Sequence, residues 1–254
     1  MASDRQIEAL LRSYPRTRPA LSAEYERIYV DHYRSNRASS GGLTGVVAGL
    51  EAWMHRRVAE AGAPGTSILE LGGGTLNHVR YEQSPRSYDV VEPFRELWQD
   101  SPQRPAVRRI YADIAEVPEA NRYHRILSVA VLEHLTNLPA VVARCAGLLA
   151  AGGVFQAGIP TEGGLLWGTA WRSTTGVAFR LKRGLPYAPM MRHEHVNDAG
   201  EIEAVAGYLF TDVRVRRFPL RWRHLSFYTY LEARAPRLDR CRLLLQNACA
   251  DRSA

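Results

Sequence analysis

Short apolar runs alternate with polar, helix-like stretches through the middle of this 254-residue chain. The runs cover residues 67–71, 87–92, 109–113, 123–130 and 153–159, and helices are predicted at about 94–101 and 138–150. Strands of this length separated by helices are typical of parallel β-α-β units with right-handed crossovers. Two later runs, at about 211–219 and 225–233, lie close enough in sequence to pair as an antiparallel edge. The pattern therefore predicts an α/β fold built on a mostly parallel sheet.

The segments on either side of these runs have a different character. Helical periodicity marks residues 4–13, 22–34 and 43–61, and further helices are predicted at about 198–208 and within 236–254. Residues 161–197 are rich in Gly, Trp, Arg and His and show no clear secondary structure, which is typical of a functional lid. We expect one domain, with a helical cap (1–60), a core (66–160), a lid insertion (161–197) and a closing helix, hairpin and tail (198–254).

Composition excludes several classes of protein. The net charge is +7, but Lys182 is the only lysine among 33 basic residues, and the arginines are scattered instead of forming a stripe interleaved with aromatics. No apolar run reaches the ~18–20 residues needed to span a bilayer, and the first residues lack a signal-peptide pattern. The three cysteines form no CxxC pair, so no metal site and no disulfide framework is predicted. We expect a cytoplasmic protein without nucleic-acid or membrane partners.

Acidic residues and glycines stand where the first three strands end. The first strand carries Glu70 and runs into Gly72–Gly74, whereas the second and third end at Glu92 and Asp113, at nearly equal spacing. Ligands of open parallel sheets bind at these strand ends, and glycine lets the backbone approach a ligand closely. An acid at the end of the second strand can accept hydrogen bonds from both ribose hydroxyls. The three positions together predict a nucleoside site, although such acids also cap helices.

The segments ILELGGGT, YDVVEP, YADI and ILSVAVLEHL, within about residues 66–160, resemble the successive motifs of class I S-adenosylmethionine (SAM)-dependent methyltransferases. The resemblance implies a Rossmann-like seven-stranded sheet of order 3-2-1-4-5-7-6, with a helical N-terminal cap and an insertion after strand 5. It implies SAM as cofactor and S-adenosylhomocysteine as product. The family commonly has a glycine where this chain has Leu76. A dehydrogenase is disfavoured because Asn77 breaks the GxGxxG pattern, and no GK[ST] phosphate loop occurs.

The resemblance also implies roles for individual residues. The Gly72–Gly74 loop, including Gly73, would pass the methionine part of the cofactor, with Glu70 in the usual acidic place. Glu92 would hold the ribose, Asp113 would meet the adenine amine, and the backbone of Ile114 would meet the ring. The sulfonium end would be lined by Ser128, Val129 and Ala130. Tyr25, Tyr29 and Tyr33 recur along one face of an N-terminal helix, from which Tyr29 would cover the cofactor, although such stripes are commonly core packing.

Histidines are the candidate bases. Methyl transfer depends mainly on in-line positioning, with a base added when the acceptor is a protonated hydroxyl. His193 and His195 lie in the lid and His134 follows the fourth strand, so these three are the candidate catalytic residues. A packing role for one of the lid histidines, or metal binding by the pair, is an alternative. Other lid residues suited to a substrate pocket are Glu162, Trp167, Trp171, Phe179, Tyr187 and Glu194.

The predicted function is methyl transfer from SAM to an oxygen or nitrogen of a small molecule, with sugars, saccharide precursors and natural products as leading acceptors. A catalytically silent SAM-binding protein is the alternative from another class. An RNA or DNA methyltransferase is less favoured because no Asn/Asp-Pro-Pro-Tyr type motif is present. Exposed apolar parts of the N-terminal helices could pair two copies as a homodimer.

Overall fold

A central seven-stranded sheet organises the protein in a computed structural model that describes residues 4–29, 45–60 and 62–250. The strand order is β3-β2-β1-β4-β5-β7-β6, with β1 to β5 parallel and β7 antiparallel to both of its neighbours. This confirms the predicted fold class and strand order. The strands are β1 Ser67–Leu71, β2 Ser87–Val91, β3 Arg109–Tyr111, β4 Tyr123–Val129, β5 Leu149–Pro160, β6 Phe210–Pro219 and β7 Ser226–Pro236.

Helices cover the sheet close to where periodicity predicts them. They are α1 Asp4–Arg12, α2 (23–29), α3 Gly45–Glu60, α4 Arg95–Trp98, α5 Leu138–Leu148, α6 Leu165–Trp171, α7 Val177–Arg183, α8 Ala188–Glu194, α9 Ala199–Leu209 and α10 Leu238–Ala250. Residues 30–44, which include Tyr33 of the predicted tyrosine stripe, lie outside the described residues. Within 4–29, 45–60 and 62–250, no helix has the length and apolar content to cross a membrane.

The central strands β1, β2, β4 and β5 are buried on both faces, which explains their near-continuous apolar sequences. Successive side chains of a strand point to opposite faces. Ile126 of β4 therefore joins the core beneath α5, α9 and α10, whereas the next residue, Leu127, joins the core beneath α3. Met54 and Val58 supply the α3 side of that second core. The two layers leave the carboxyl ends of β1 to β4 as an open edge.

The lid insertion is helical, which the sequence interpretation did not anticipate. Its chain runs through α6, one π-helical turn (Arg172–Gly176) and α7 before α8. Exposed Ser, Thr, Gly and Arg residues fill this stretch, so little apolar periodicity marks it. A small core of Phe179, Tyr187 and Met190 forms inside the lid, and Tyr25 and Tyr29 of α2 pack against it. The helix α2 of the N-terminal cap and the lid therefore pack together through apolar side chains.

Candidate functional site

A cleft of about 1730 Å³ opens at the carboxyl ends of β1 to β4. It forms where the strand order reverses between β1 and β4, because the connections leave the sheet in opposite directions there. The predicted cofactor residues that line it are Gly72, Gly74, Glu92, Asp113, Ile114, Val129, Ala130 and Tyr29. The predicted cofactor residues Glu70, Gly73 and Ser128 do not line it.

The glycine loop after β1 needs its glycines for steric reasons. Gly72 and Gly74 have φ values of +67° and +50°, in the left-handed region that L side chains avoid. A Cβ atom at Gly72 would also collide with the side chain of Val131. Leu76 has φ +65° although it carries a side chain, which is completely buried in the α3-side core. The position at which the family commonly has glycine thus keeps a glycine-like backbone, and burial of the leucine side chain offsets the strain.

The two acids at the strand ends are held by backbone N–H groups. Glu92 is buried, and its Oε2 and Oε1 accept hydrogen bonds from the N–H groups of Gly74 (2.9 Å) and Phe94 (3.0 Å). Asp113 is exposed, and its Oδ1 accepts from Ala115 N–H (2.7 Å), which caps a short 3₁₀ turn. Each carboxylate oxygen can accept more than one hydrogen bond, so capping and ligand binding are compatible for both acids.

Glu70 lies behind the glycine loop. Its side chain is buried, and Oε2 accepts a hydrogen bond from the hydroxyl of Tyr88 (2.8 Å). Burial raises the pKa of Glu70, while the nearby His78 and the Tyr88 hydroxyl lower it in part. Ser128 is equally buried, and its hydroxyl has no hydrogen-bond partner among the described residues. The geometry therefore favours support of the cleft by these two residues over direct contact with its contents, and their predicted cofactor roles stay predictions.

An imidazole and a carboxylate from the lid meet at one end of the cleft. Nδ1 of His195 forms an ion-pair contact with Oε1 of Glu162, and the same oxygen accepts a hydrogen bond from Trp167 Nε1 (3.2 Å). Burial by itself would lower the pKa of His195, but the hydrogen bond and charge of Glu162, with smaller contributions from Glu133 and Glu194, raise it overall. His195 is thus an imidazole that is oriented by a carboxylate and lines the cleft.

The ring of His134 packs edge-on against that of His195, with centroids 4.6 Å apart, and also lines the cleft. Its Nδ1 lies 2.9 Å from the carbonyl oxygen of Glu194. His193 instead faces the N-terminal segment, where its Nδ1 lies 2.8 Å from the Pro19 carbonyl oxygen, and it does not line the cleft. The structure thus brings two of the three candidate histidines together and separates the third. Among the described residues no group of three or more His, Cys, Asp or Glu side chains is placed to hold a metal ion.

Arg18 connects the histidine-bearing segments and was not recognised in the sequence. Its guanidinium donates to the carbonyl oxygens of His193 (2.8 Å), Glu194 (2.9 Å) and His134 (2.8 Å). It belongs to a segment, residues 14–19, that lies across the end of α8; nearby, Tyr14 donates to Asn197 Oδ1 (2.6 Å). No motif marks an arginine in a proline-bearing turn, so only the three-dimensional contact identifies it.

A stacked pair of rings forms another part of the cleft wall. His55 of α3 lies parallel to Tyr81, at 5.1 Å between centroids and an interplanar angle of 2°. Its Nδ1 is 3.0 Å from Nδ1 of the buried His78, whose Nε2 contacts Glu82. Burial, with the neighbouring His78 and Arg80, lowers the pKa of His55 to about 3. The wall therefore presents flat, neutral rings, and no sequence motif predicted it.

No protein-family model and no curated protein sequence matches this chain. Solved structures do match. DhpI, in a complex with SAM and HEP, aligns with a TM-score of 0.55 at 13% identity over 85% of this chain and 100% of its own. The N-methyltransferase NodS from Bradyrhizobium japonicum, with S-adenosyl-L-homocysteine, aligns with a TM-score of 0.54 at 15% identity over 85% and 98%. Magnesium protoporphyrin IX methyltransferase from Synechocystis aligns with a TM-score of 0.50 at 15% identity over 81% and 94%. The chain has the fold of these SAM-dependent methyltransferases.

Proposed function

We propose that this protein is a SAM-dependent methyltransferase that modifies an oxygen or nitrogen of a small molecule. The observation that carries the proposal is the convergence of Gly72, Gly74, Glu92 and Asp113 on one cleft at the reversal of strand order. Two carboxylates beside a tightly turned glycine loop suit a ligand with a diol and an amine at one end. The fold shared with SAM-dependent methyltransferases supports the same assignment.

The residues present fit SAM by shape and by chemistry. The glycine loop borders open space in which an extended chain can lie, because a Cβ atom added at Gly74 would meet no atom within 4 Å. Glu92 is held by two N–H groups, so its remaining acceptor capacity is aimed at the cleft without further reorganisation. When bound, SAM supplies a methyl group already activated on a sulfonium. The chain's own task is then to position the acceptor and, where needed, to remove a proton.

His195 is the base that we propose for a hydroxyl acceptor. Its contact with Glu162 orients the ring and stabilises the imidazolium that forms when it takes a proton. Glu162 is a positioning residue in this scheme, because it acts through His195. His134 is the second candidate, given its ring contact with His195 and its place in the cleft. His193 receives less support because it does not line the cleft.

The acceptor that we propose is a polar, ring-bearing small molecule such as a sugar, a saccharide precursor or a natural product. The ring of Tyr81, backed by the buried His55, offers a flat surface on which such a ring can stack, and Glu51 and Arg80 lie beside it in the cleft. Pockets of this kind combine apolar faces with a few polar groups that fix orientation. A silent SAM-binding protein would use the cofactor end of the same cleft without turnover.

Calorimetric titration with SAM and with S-adenosylhomocysteine tests the cofactor assignment. We expect both to bind, and Glu92→Ala to weaken binding by about 1–3 kcal/mol because charged hydrogen bonds are lost. The matched control is Glu119→Ala, which removes an exposed carboxylate that pairs with Arg144. Absence of binding by either ligand, or equal weakening in both variants, would refute the assignment.

Turnover is tested by a mass gain of one methylene in a panel of candidate acceptors. His195→Ala should leave SAM binding intact and abolish turnover of hydroxyl acceptors. Glu162→Gln removes a contact that raises the pKa of His195, so the acid limb of the rate profile should move to lower pH and the plateau should fall. Full activity in His195→Ala would transfer the role to His134. Cofactor binding without transfer to any acceptor would favour the silent binder, and transfer to RNA or DNA alone would favour a nucleic-acid enzyme.

A further inference from the structure

The lid and the turn between β6 and β7 carry large apolar side chains that point into solvent. Leu181 is 83% exposed, Leu165 is 68% exposed and Trp222 is 57% exposed. Val177, Leu220 and Leu225 are also exposed. Scattered exposed leucines are ordinary, but a concentration of them on neighbouring elements is typical of an interaction site. We call α6, α7 and residues 220–225 the docking surface.

The two parts of the docking surface are joined. Arg223 Nη2 donates to the carbonyl oxygen of Glu162 (3.2 Å), directly before α6. Gly164 lies so close to the turn that an added Cβ would stand 2.6 Å from the Arg223 carbonyl oxygen. Leu165 therefore begins its helix beside the turn that carries Trp222 and Leu225.

The helix α7 presents an apolar crest flanked by cations. Phe179 is buried in the lid core, and Val177 and Leu181, one turn apart, lie on the opposite side of the helix. Arg180 and Lys182 fall on either side of that crest by helical spacing. This arrangement matches helices that lie in a membrane interface, with apolar residues inward and basic residues at headgroup level.

Negative charge is missing from the same segments. No Asp or Glu occurs between Gly163 and His193, or between Val213 and Leu231. Within the described residues, the lid cations Arg180, Lys182 and Arg183 form no salt bridge. The docking surface is therefore positive as well as apolar.

We propose that this surface docks the protein onto an anionic lipid bilayer. The lid cations Arg180, Lys182 and Arg183 complement the negative headgroups. Leu165, Leu181 and Trp222 provide the apolar and interfacial side chains that enter the headgroup region. A nucleic acid could bind the same cations, but it has no apolar interior into which the exposed leucines could insert. The absence of a spanning segment in the sequence predicts no membrane partner, but docking at a surface requires no such segment.

Co-sedimentation of the full chain with vesicles tests this proposal. We expect binding to vesicles of phosphatidylcholine mixed with phosphatidylglycerol, little binding to phosphatidylcholine alone, and loss of binding as salt is raised. The triple variant Arg180→Gln, Lys182→Gln and Arg183→Gln should weaken binding about a hundredfold, at about fivefold per cation. Leu181→Asp should also weaken it, because the change places a charge at the tip of the crest.

The matched control removes three exposed cations from the opposite layer of the protein. Arg5→Gln, Arg12→Gln and Arg242→Gln in α1 and α10 change the net charge by the same amount and should leave vesicle binding within about twofold. Circular dichroism shows whether each variant is folded, and a misfolded triple variant would be replaced by the single Lys182→Gln. Equal binding by the triple and control variants would overturn the proposal. Absence of vesicle binding would also overturn the proposal, even if the same cations were found to bind RNA.

Discussion

Glu133→Gln should raise the free energy of unfolding by a larger amount at pH 8 than at pH 5. Glu133 lies in the turn after β4 and is almost fully buried, and its Oε2 has no hydrogen-bond partner in the described part of the chain. Burial raises its pKa from the ordinary 4.5 to about 7, although His195 and the local backbone lower it in part. The charged form of the carboxyl is therefore unfavourable in the folded protein.

The magnitude follows from proton linkage. A carboxyl whose pKa is raised on folding binds its proton more tightly in the folded state, so its contribution to stability is lost as the pH rises from about 4.5 through 7. Each tenfold change in proton affinity corresponds to about 1.4 kcal/mol. Integration between pH 5 and pH 8 gives a loss of about 2.5 kcal/mol in the free energy of unfolding of the native chain. A glutamine at this position does not titrate and cannot cause such a loss.

Urea denaturation at a series of pH values, followed by circular dichroism, measures this difference. The stability of Glu133→Gln relative to the native chain should increase by about 2.5 kcal/mol from pH 5 to pH 8. Glu119→Gln, whose carboxylate is exposed, is the control and should show almost no pH-dependent difference. A difference for Glu133→Gln that is flat with pH, or that grows toward acid, would refute the reasoning about its burial.

Two further substitutions examine other parts of the site. Leu76→Gly should relieve the left-handed backbone strain at this position. It should still destabilise the fold by about 2–4 kcal/mol, because a fully buried side chain is lost. A gain in stability, measured by urea denaturation, would show that the strain outweighs the burial. Arg18→Gln should lower the free energy of unfolding by about 1.5–3 kcal/mol in the same assay, because the carbonyl oxygens of His134 and Glu194 lose a charged donor. The change should also reduce turnover more than SAM binding. Equal losses in binding and turnover would contradict this.

The sheet and the position of the glycine loop, Glu92 and Asp113 at one edge of it were predictable because both depend on local sequence. Strands buried on both faces are continuous apolar runs, and parallel strands bring their terminal residues to one edge. Glu92 therefore contacts the glycine loop, and Asp113 lines the same cleft, when the strands pair in this order. The helices of the lid were missed because their apolar residues are few and Val177 and Leu181 face solvent.

The end of the cleft that contains His195 could not be predicted in the same way. Glu162 and His195 meet only because three short helices and a π-helical turn fold back between them, and no periodicity encodes that path. The stacking of His55 on Tyr81 likewise joins α3 to the loop after β1. Glu70 turns to Tyr88 behind the glycine loop and Ser128 is enclosed in the core, and such placement of a polar side chain is a property of the assembled core.

The contacts of residues 14–18 have a consequence for synthesis on the ribosome. Tyr14 and Arg16 bind partners 183 and 185 residues later, and Arg18 binds backbone 175 and 176 residues later. The segment therefore emerges long before its docking site on α8 and α9 has been translated. The sheet can begin to assemble from β1 to β4 during that interval, but the histidine end of the cleft can form only after His195 has been made. In a newly made chain the glycine-loop end of the cleft should thus assemble before its histidine end.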